Sequence, residues 1–326
     1  MKKIGSVLLR VGVSVLLLAV LFLTQKLDAK TIWHSIRHAD RGLLAAGCAM
    51  IFFSFLLCFI RWRQLLHAID IRIPLSRLLV SFSGGVFFNA ILISSIGGDF
   101  VRSIDLAVFT KRPRQIVATV LLDRLSGYVG LVLVVLVAAF LGKDVIGTSK
   151  SILFSIAVIV VILAGILLVL FNHYVYTKVN RILGSSRLGK VGESIKNLHE
   201  ELHIFKQHKG VLFFSVVLSI LVQTVAPLSS YLVARALGVH VSLTYFFIFI
   251  PLVGAITMLP ISIGGLGVRE NSMVLFFKQV GVPQELTIAM SLLGFFFTLG
   301  YSAIAGLIYV LTVHNRRLQS HPSPAL

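Results

Sequence analysis

The chain is 326 residues long, 57% apolar and only 13% charged, with a mean hydropathy of +0.97. A water-soluble domain carries about 25% charged residues, so most of the outer surface here must face lipid, and a soluble globular enzyme is excluded. Thirty Lys and Arg against twelve Asp and Glu give a net charge of +18. These cations lie between apolar runs, without zinc-finger spacing or an aromatic platform, so nucleic acid is not an expected partner.

Apolar runs cover about 4–24, 42–60, 75–96, 113–142, 150–171, 210–237, 243–263 and 284–313. At about 20 residues per crossing, the length allows roughly six to eight spans. The first run follows Lys2, Lys3 and Arg10 as a signal peptide would. It continues into Thr24-Gln25-Lys26-Leu27 without a small-x-small cleavage site, and is read as a retained helix. Cys48 and Cys58 share the second run. On a helix they stand roughly 15 Å apart, too far for a disulfide.

Lys and Arg are spread unevenly between the runs: three in 1–10, four in 61–77, four in 99–114, seven in 172–209 and two in the C-terminal tail. If every run crossed once, 99–114 and 172–209 would fall outside and break the positive-inside rule. If 75–96 enters from the cytoplasm and turns back, twenty of the thirty cations lie inside. The charge pattern therefore favours a re-entrant segment. Ser83-Gly84-Gly85 offers a hinge in the middle of that run, and Gly97-Gly98 ends it. Glycine costs about 1 kcal/mol in a helix interior, and a broken backbone at membrane depth must be covered by protein or line a polar cavity.

Residues 95–102, Ser-Ile-Gly-Gly-Asp-Phe-Val-Arg, and 262–269, Ser-Ile-Gly-Gly-Leu-Gly-Val-Arg, agree at six of eight positions at an offset of 167. The same offset carries Phe109 and Lys111 onto Phe276 and Lys278, and Gly84 onto a second helix breaker, Pro251. Two halves, about 1–148 and 149–313, each with three crossings and one broken segment, would be inverted relative to each other. Paired broken segments in such a repeat point to a transport site near mid-membrane. The plainer reading is that the glycines only let helices pack closely.

Asp123 and Arg124 lie about ten residues into the 113–142 run, where charge is expensive and usually functional. One reading makes them an internal ion pair locking helices together. In the other, Arg124 grips a phosphate in a bidentate manner and Asp123 orients it. Arg102 and Arg269 each follow a Gly-Gly break and open a short helix, whose free N–H groups favour an anion. Gly97, Gly98, Asp99, Arg102, Asp123 and Arg124, with Gly264, Gly265, Gly267, Arg269 and Glu270, are the candidate substrate-binding residues, forming two half-sites for one anionic headgroup. His199-Glu200-Glu201-Leu202-His203 matches the zinc-protease pattern H-E-x-x-H. It falls in an amphipathic connector, 172–209, striped by Leu188, Val191, Ile195, Leu198, Leu202 and Phe205, and has no evident third ligand. It reads as the solvated face of an interfacial helix. No P-loop and no Ser/His/Asp set is present, and no catalytic residue, metal or cofactor is expected.

Ser-Ile-Gly-Gly-Asp-x-x-Arg, Leu-Asp-Arg-Leu-Ser-Gly at 122–127 and Leu-Pro-Ile-Ser-Ile-Gly-Gly-Leu-Gly-Val-Arg-Glu at 259–270 resemble the lysylphosphatidylglycerol synthase transmembrane, or flippase-like, family. The resemblance covers about 5–313. Asp123 stands where many relatives would show Glu, keeping the charge with a shorter reach. The resemblance implies handling of polar lipids across the membrane without fixing the substrate, since the same domain also occurs in polyprenyl-glycan and hopanoid pathways. The soluble aminoacyl-transferase domain of the full synthases has no counterpart here, so lipid aminoacylation by this chain alone is not expected.

The expected fold is an all-α polytopic membrane domain over 1–313. It has about six full spans, two re-entrant broken segments in an inverted repeat, cytoplasmic termini and a disordered tail, 314–326. The expected function is a translocase of a phosphate-bearing lipid, such as a phospholipid or polyprenyl-phosphate-linked glycolipid, in the cytoplasmic (inner) membrane. Its alternatives are a membrane-embedded headgroup or glycosyl transferase, or a non-catalytic partner of a lipid- or glycan-modifying enzyme. Single cysteines replacing Lys111 and Lys278 are expected to label from the inside and the outside respectively. Labelling of both from one side overturns the inverted repeat.

Overall fold

A computed structural model describes residues 28–91, 97–141, 150–171, 205, 207–257 and 265–320. The 4–24 run, nearly all of the 172–209 connector with its H-E-x-x-H segment, Gly264 and residues 321–326 lie outside them. The described residues are helical: α1 Ala29–Arg37, α2 Arg41–Ala68, α3 Leu75–Ile91, α4 Gly97–Thr110, α5 Pro113–Leu141, α6 Lys150–Phe171, α7 Lys209–Ala236, α8 Leu243–Thr257, α9 Val268–Phe277 and α10 Gln284–Ser320. A 3-10 turn, Lys278–Val280, follows α9.

Four of these, α2, α5, α7 and α10 over Gln284–Thr312, are long and apolar enough to cross a membrane. A 28-residue helix reaches about 42 Å, beyond the roughly 30 Å hydrocarbon core. Phe154, Phe213 and Phe296 are more than 70% exposed, while Arg61, Asp99, Arg102, Asp123 and Glu270 are buried. Apolar rings outside and charge inside is the distribution expected when the solvent is lipid. The molecule is an all-α polytopic membrane protein. Helix α1 differs: Asp28 caps it by accepting from Lys30 N–H at 2.9 Å and the Thr31 hydroxyl at 2.8 Å. It buries Ile32 and exposes Trp33, as an interfacial helix would.

Helices α2 and α7 run antiparallel through the centre. Asp40 N–H donates to Ala236 O at 3.0 Å, and the Ser229 hydroxyl donates to Gly47 O at 2.8 Å. The α2 C-terminus meets the start of α5 in one apolar cluster of Leu65, Ala118, Leu122 and Phe205. Helices α3 and α4 form a hairpin beside them, tied by Arg77 to Asp105 and by the Ser81 hydroxyl to Arg102 O. Its open end therefore lies where α2 stops and α5 begins. A second hairpin joins α8 to α9 through the Phe246–Phe277 and Phe249–Phe276 ring pairs. Its open end lies where α7 stops and α10 begins, in a cluster with Ala39, Ala236, Leu237, Phe277, Val282 and Ile288. The order long, short, short, long thus occurs twice. Each hairpin also packs on the last long helix of the other series: α3 on α10, and α8 on α5.

Three expectations are corrected. Helix α3 runs unbroken through Ser83-Gly84-Gly85, so the expected hinge does not fall there. The glycines serve close packing. A Cβ on Gly84 would stand 2.5 Å from the Tyr309 ring, and one on Gly98 would stand 1.8 Å from Gly85 O. Pro251 likewise sits inside α8 without ending it. Finally, α2 continues to Ala68, so Arg61 and Arg63, counted above as loop charges, are helical.

Gly98→Ala is expected to lower the thermal unfolding midpoint of the purified protein, since overpacking of this kind costs about 1–3 kcal/mol. Gly165→Ala, inside α6 with nothing within 4 Å of the added Cβ, should hold the midpoint or raise it, since alanine favours a helix interior over glycine.

Candidate functional site

The start of α4 approaches α3 closely because Gly85 and Gly98 bring two bare backbones together, and Gly98 N–H donates to Asn89 Oδ1 at 2.9 Å. This contact carries Asp99 and Arg102 to the flank of α5, where Asp123 and Arg124 lie about 15 Å along the helix. Five ionised side chains then form an alternating ladder. Arg61 Nε donates to Asp123 Oδ1 at 2.7 Å. Arg102 Nη2 lies 2.9 Å from Asp123 Oδ2 and 3.0 Å from Asp99 Oδ1. Arg124 Nε donates to Asp99 Oδ2. Every carboxylate oxygen in the ladder has a guanidinium partner, and both ends are cations.

Further contacts brace the rungs. Arg61 Nη1 donates to the Ser219 hydroxyl at 2.8 Å, and that hydroxyl donates to Ser215 O. The Arg102 guanidinium lies over the Trp62 ring, 4.5 Å from its centroid, and Trp62 Nε1 donates to Thr119. The buried Arg102 Nε has no hydrogen-bond partner. The ladder lines a cavity of about 260 Å³ together with Asn89, Gly127, Tyr128, Gln223 and Phe55. Arg124 is its most accessible member, with 28% of its side chain exposed against less than 10% for the other four.

Asp123 and Arg124 each bond across to other helices. Successive residues on a helix point about 100° apart, so each reaches a different neighbour: Asp123 turns to α2 and α4, Arg124 to Asp99. Arg269 is also placed elsewhere. It lines a second cavity of about 290 Å³ with Ser54, Ser229, Thr257, Ser291 and Thr298. There it donates to Ser291 at 2.8 Å and Glu270 at 3.0 Å, and lies over the Phe295 ring. Glu270 is buried and also accepts from Gly267 N–H at 2.7 Å and the Ser291 hydroxyl at 2.9 Å. Gly265 and Gly267 have φ of +76° and +81°, a backbone that glycine adopts readily, and they turn the chain into α9. Arg102 and Arg124 line the first cavity and Arg269 the second, while Phe55, stacked on Tyr301 at 3.7 Å, lines both. The two Gly-Gly segments nonetheless make matching cross-helix bonds, Arg102 to Asp123 and Arg269 to Ser291.

Arg61, Asn89, Gln223 and Ser291 were not anticipated as site residues. For Arg61 the signal was present: Trp62, Leu65 and Leu66 continue the helical apolar pattern past residue 60, which makes Arg61 an intramembrane charge. Asn89 and Gln223 carry no such signal, being single amides in apolar helices. Among the described residues no group of His, Cys, Asp and Glu could hold a metal ion.

The sequence pattern of the lysylphosphatidylglycerol synthase TM region matches residues 7–306. The chain is also 26% identical over 313 residues to a protein described as UPF0104 membrane protein from Methanothermobacter thermautotrophicus, with 89% of each chain covered.

Asp123→Asn leaves Arg61 and Arg102 short of a counter-charge, and breaking a buried pair costs about 3–5 kcal/mol. The variant should show a markedly lower unfolding midpoint than Asp28→Asn, which alters only an exposed helix cap.

Proposed function

The chain belongs to the lysylphosphatidylglycerol synthase transmembrane family, matched over residues 7–306, and on that footing we propose that it is a lipid translocase. It moves a polar, phosphate-bearing lipid between leaflets without changing it chemically. The observation that supports this most is the buried, cation-ended ladder lining a cavity about 15 Å along a spanning helix. A guanidinium there meets a phosphate in a fork geometry, and the apolar outer surface lets the hydrocarbon chains stay in lipid.

The two hairpins support a transport reading as well. Over their described residues, α3 spans 17 residues and α8 spans 15, about 25 Å and 23 Å. Their open ends lie at opposite ends of the central α2–α7 pair. In this reading both belong to re-entrant segments of an inverted repeat. The end bearing Arg72, Lys111, Arg112, Arg114 and Lys209 is cytoplasmic by the positive-inside rule. The protein then sits in the cytoplasmic membrane, with anionic or phosphate-bearing lipids as its partners.

Purified protein in liposomes with tail-labelled anionic lipids is expected to accelerate leaflet exchange over empty vesicles. Arg124→Ala should slow exchange by about tenfold, the loss of roughly 1.4 kcal/mol, with little change in protein abundance. No acceleration for any headgroup overturns the proposal, as does conversion of a radiolabelled lipid to a new product at a comparable rate. A fall in abundance alone makes Arg124 a structural residue.

A further inference from the structure

Apart from the two cavities described above, helices α5, α7 and α8 border a crevice of about 320 Å³. Leu133, Val137, Ala138 and Leu141 of α5, Thr224 of α7 and Phe247 of α8 line it. The Thr224 hydroxyl donates to Leu221 O of its own helix at 2.7 Å, so it has no proton to offer the crevice. Water is held only where it finds two to four polar partners, and these walls are hydrocarbon. Val137 and Leu141 are 58% and 74% exposed, which makes the crevice continuous with the apolar outer surface that faces lipid.

The contact made by the other hairpin is filled by protein. Where α3 packs on α10, a Cβ on Gly306 would run into the Phe87 ring, and one on Gly84 would stand 2.5 Å from the Tyr309 ring. Each ring thus covers bare backbone on the opposite helix, and Tyr309 also meets Phe88 edge-on at 5.8 Å. At the sequence offset of 167, Phe87 and Tyr309 fall on Gly254 and Gly142. A Cβ on Gly254 would meet nothing within 4 Å. The contact of α8 with α5 has no rings at those positions, and the crevice lies along it.

We infer that the α5–α7–α8 crevice is a binding site for one hydrocarbon chain of a membrane lipid. Side chains bordering a gap lose dispersion contacts, and in a bilayer the molecule at hand to restore them is a lipid chain. From Leu133 to Leu141 the crevice follows α5 for about 12 Å, so the chain lies along that helix. This site recognises the chain and not the headgroup. It lies apart from the arginine–aspartate ladder and does not depend on the translocase reading.

The test places the full chain in phosphatidylcholine vesicles in which a small fraction of the lipid carries a photoreactive diazirine on an acyl chain. After irradiation, adducts are mapped by peptide mass spectrometry. Leu136 and Leu221 serve as controls, since they lie on the same helices and are 42% and 45% exposed, but do not line the crevice. Adduct yield per residue at Leu133, Val137, Leu141, Thr224 and Phe247 should exceed that of the controls by about tenfold. Ala138→Phe places a ring in the crevice and should bring the yield down to the control level. Thr224→Phe, on the part-exposed α7 wall, takes its place where Ala138→Phe does not fold. Equal yields at crevice and control positions reflect lipid that wets every face alike, and overturn the site. Yields below the controls show that protein, whether this chain or a second copy, fills the crevice, and also overturn it. A high yield that neither ring reduces does the same. None of these outcomes touches the leaflet-exchange measurement, which tests translocation separately.

Discussion

Five ionised side chains buried in an apolar bundle set terms that the neighbouring helices must meet. Each charge loses its water, and only an opposite charge at hydrogen-bond distance offsets that loss. The ladder answers by alternating sign, so that Asp123 faces Arg61 and Arg102 while Asp99 faces Arg102 and Arg124. Four helices must be held in register for this to work: α2 supplies Arg61, α4 supplies Asp99 and Arg102, α5 supplies Asp123 and Arg124, and α7 supplies Ser219. The close approaches at Gly85–Gly98 and Gly130–Ser219 are what that register requires. The glycines thus belong to the electrostatics as much as to the packing.

The two Gly-Gly segments show how one local design yields two different sites. Each places an arginine on a short helix that reaches across to a long one. In the first, the long helix presents Asp123, and the result is an extended network. In the second, the acid is the arginine's own neighbour, Glu270, and the long helix presents only the Ser291 hydroxyl. The second arginine is therefore neutralised locally. Its cavity is walled by hydroxyls whose protons mostly go to backbone carbonyls, as for Ser229, Thr257 and Thr298. Phe55 lines both environments and stacks on Tyr301.

Much of this was legible beforehand, for identifiable reasons. Long apolar helices follow from the bilayer, which punishes exposed backbone and charge so heavily that few alternatives exist. The Gly-Gly segments announced special backbone positions, and Asp99, Arg102, Asp123 and Arg124 announced themselves as charges where charge is rare. Where the reading failed, it failed on local ambiguity. A Gly-Gly pair in an apolar helix is equally suited to a break and to a tight contact, and only Tyr309, Arg102 and Gly98, distant in sequence, decide for contact at 84–85. Arg61 was misread because an arginine at the end of an apolar run resembles a loop residue until its partner 62 positions away is known.

By itself the sequence determined the membrane class, the helical content, the family and which charged residues stand within apolar segments, Arg61 excepted. All of these follow from composition, spacing or short motifs. Which charges meet was decided only by tertiary structure: that Asp123 bonds Arg61 and Arg102 while Arg124 bonds Asp99, and that Arg269 bonds Glu270 and Ser291. The reason is geometric. Adjacent residues on a helix diverge by about 100°, so a buried charge finds its partner on another helix, and the choice of helix is made by how the backbones pack.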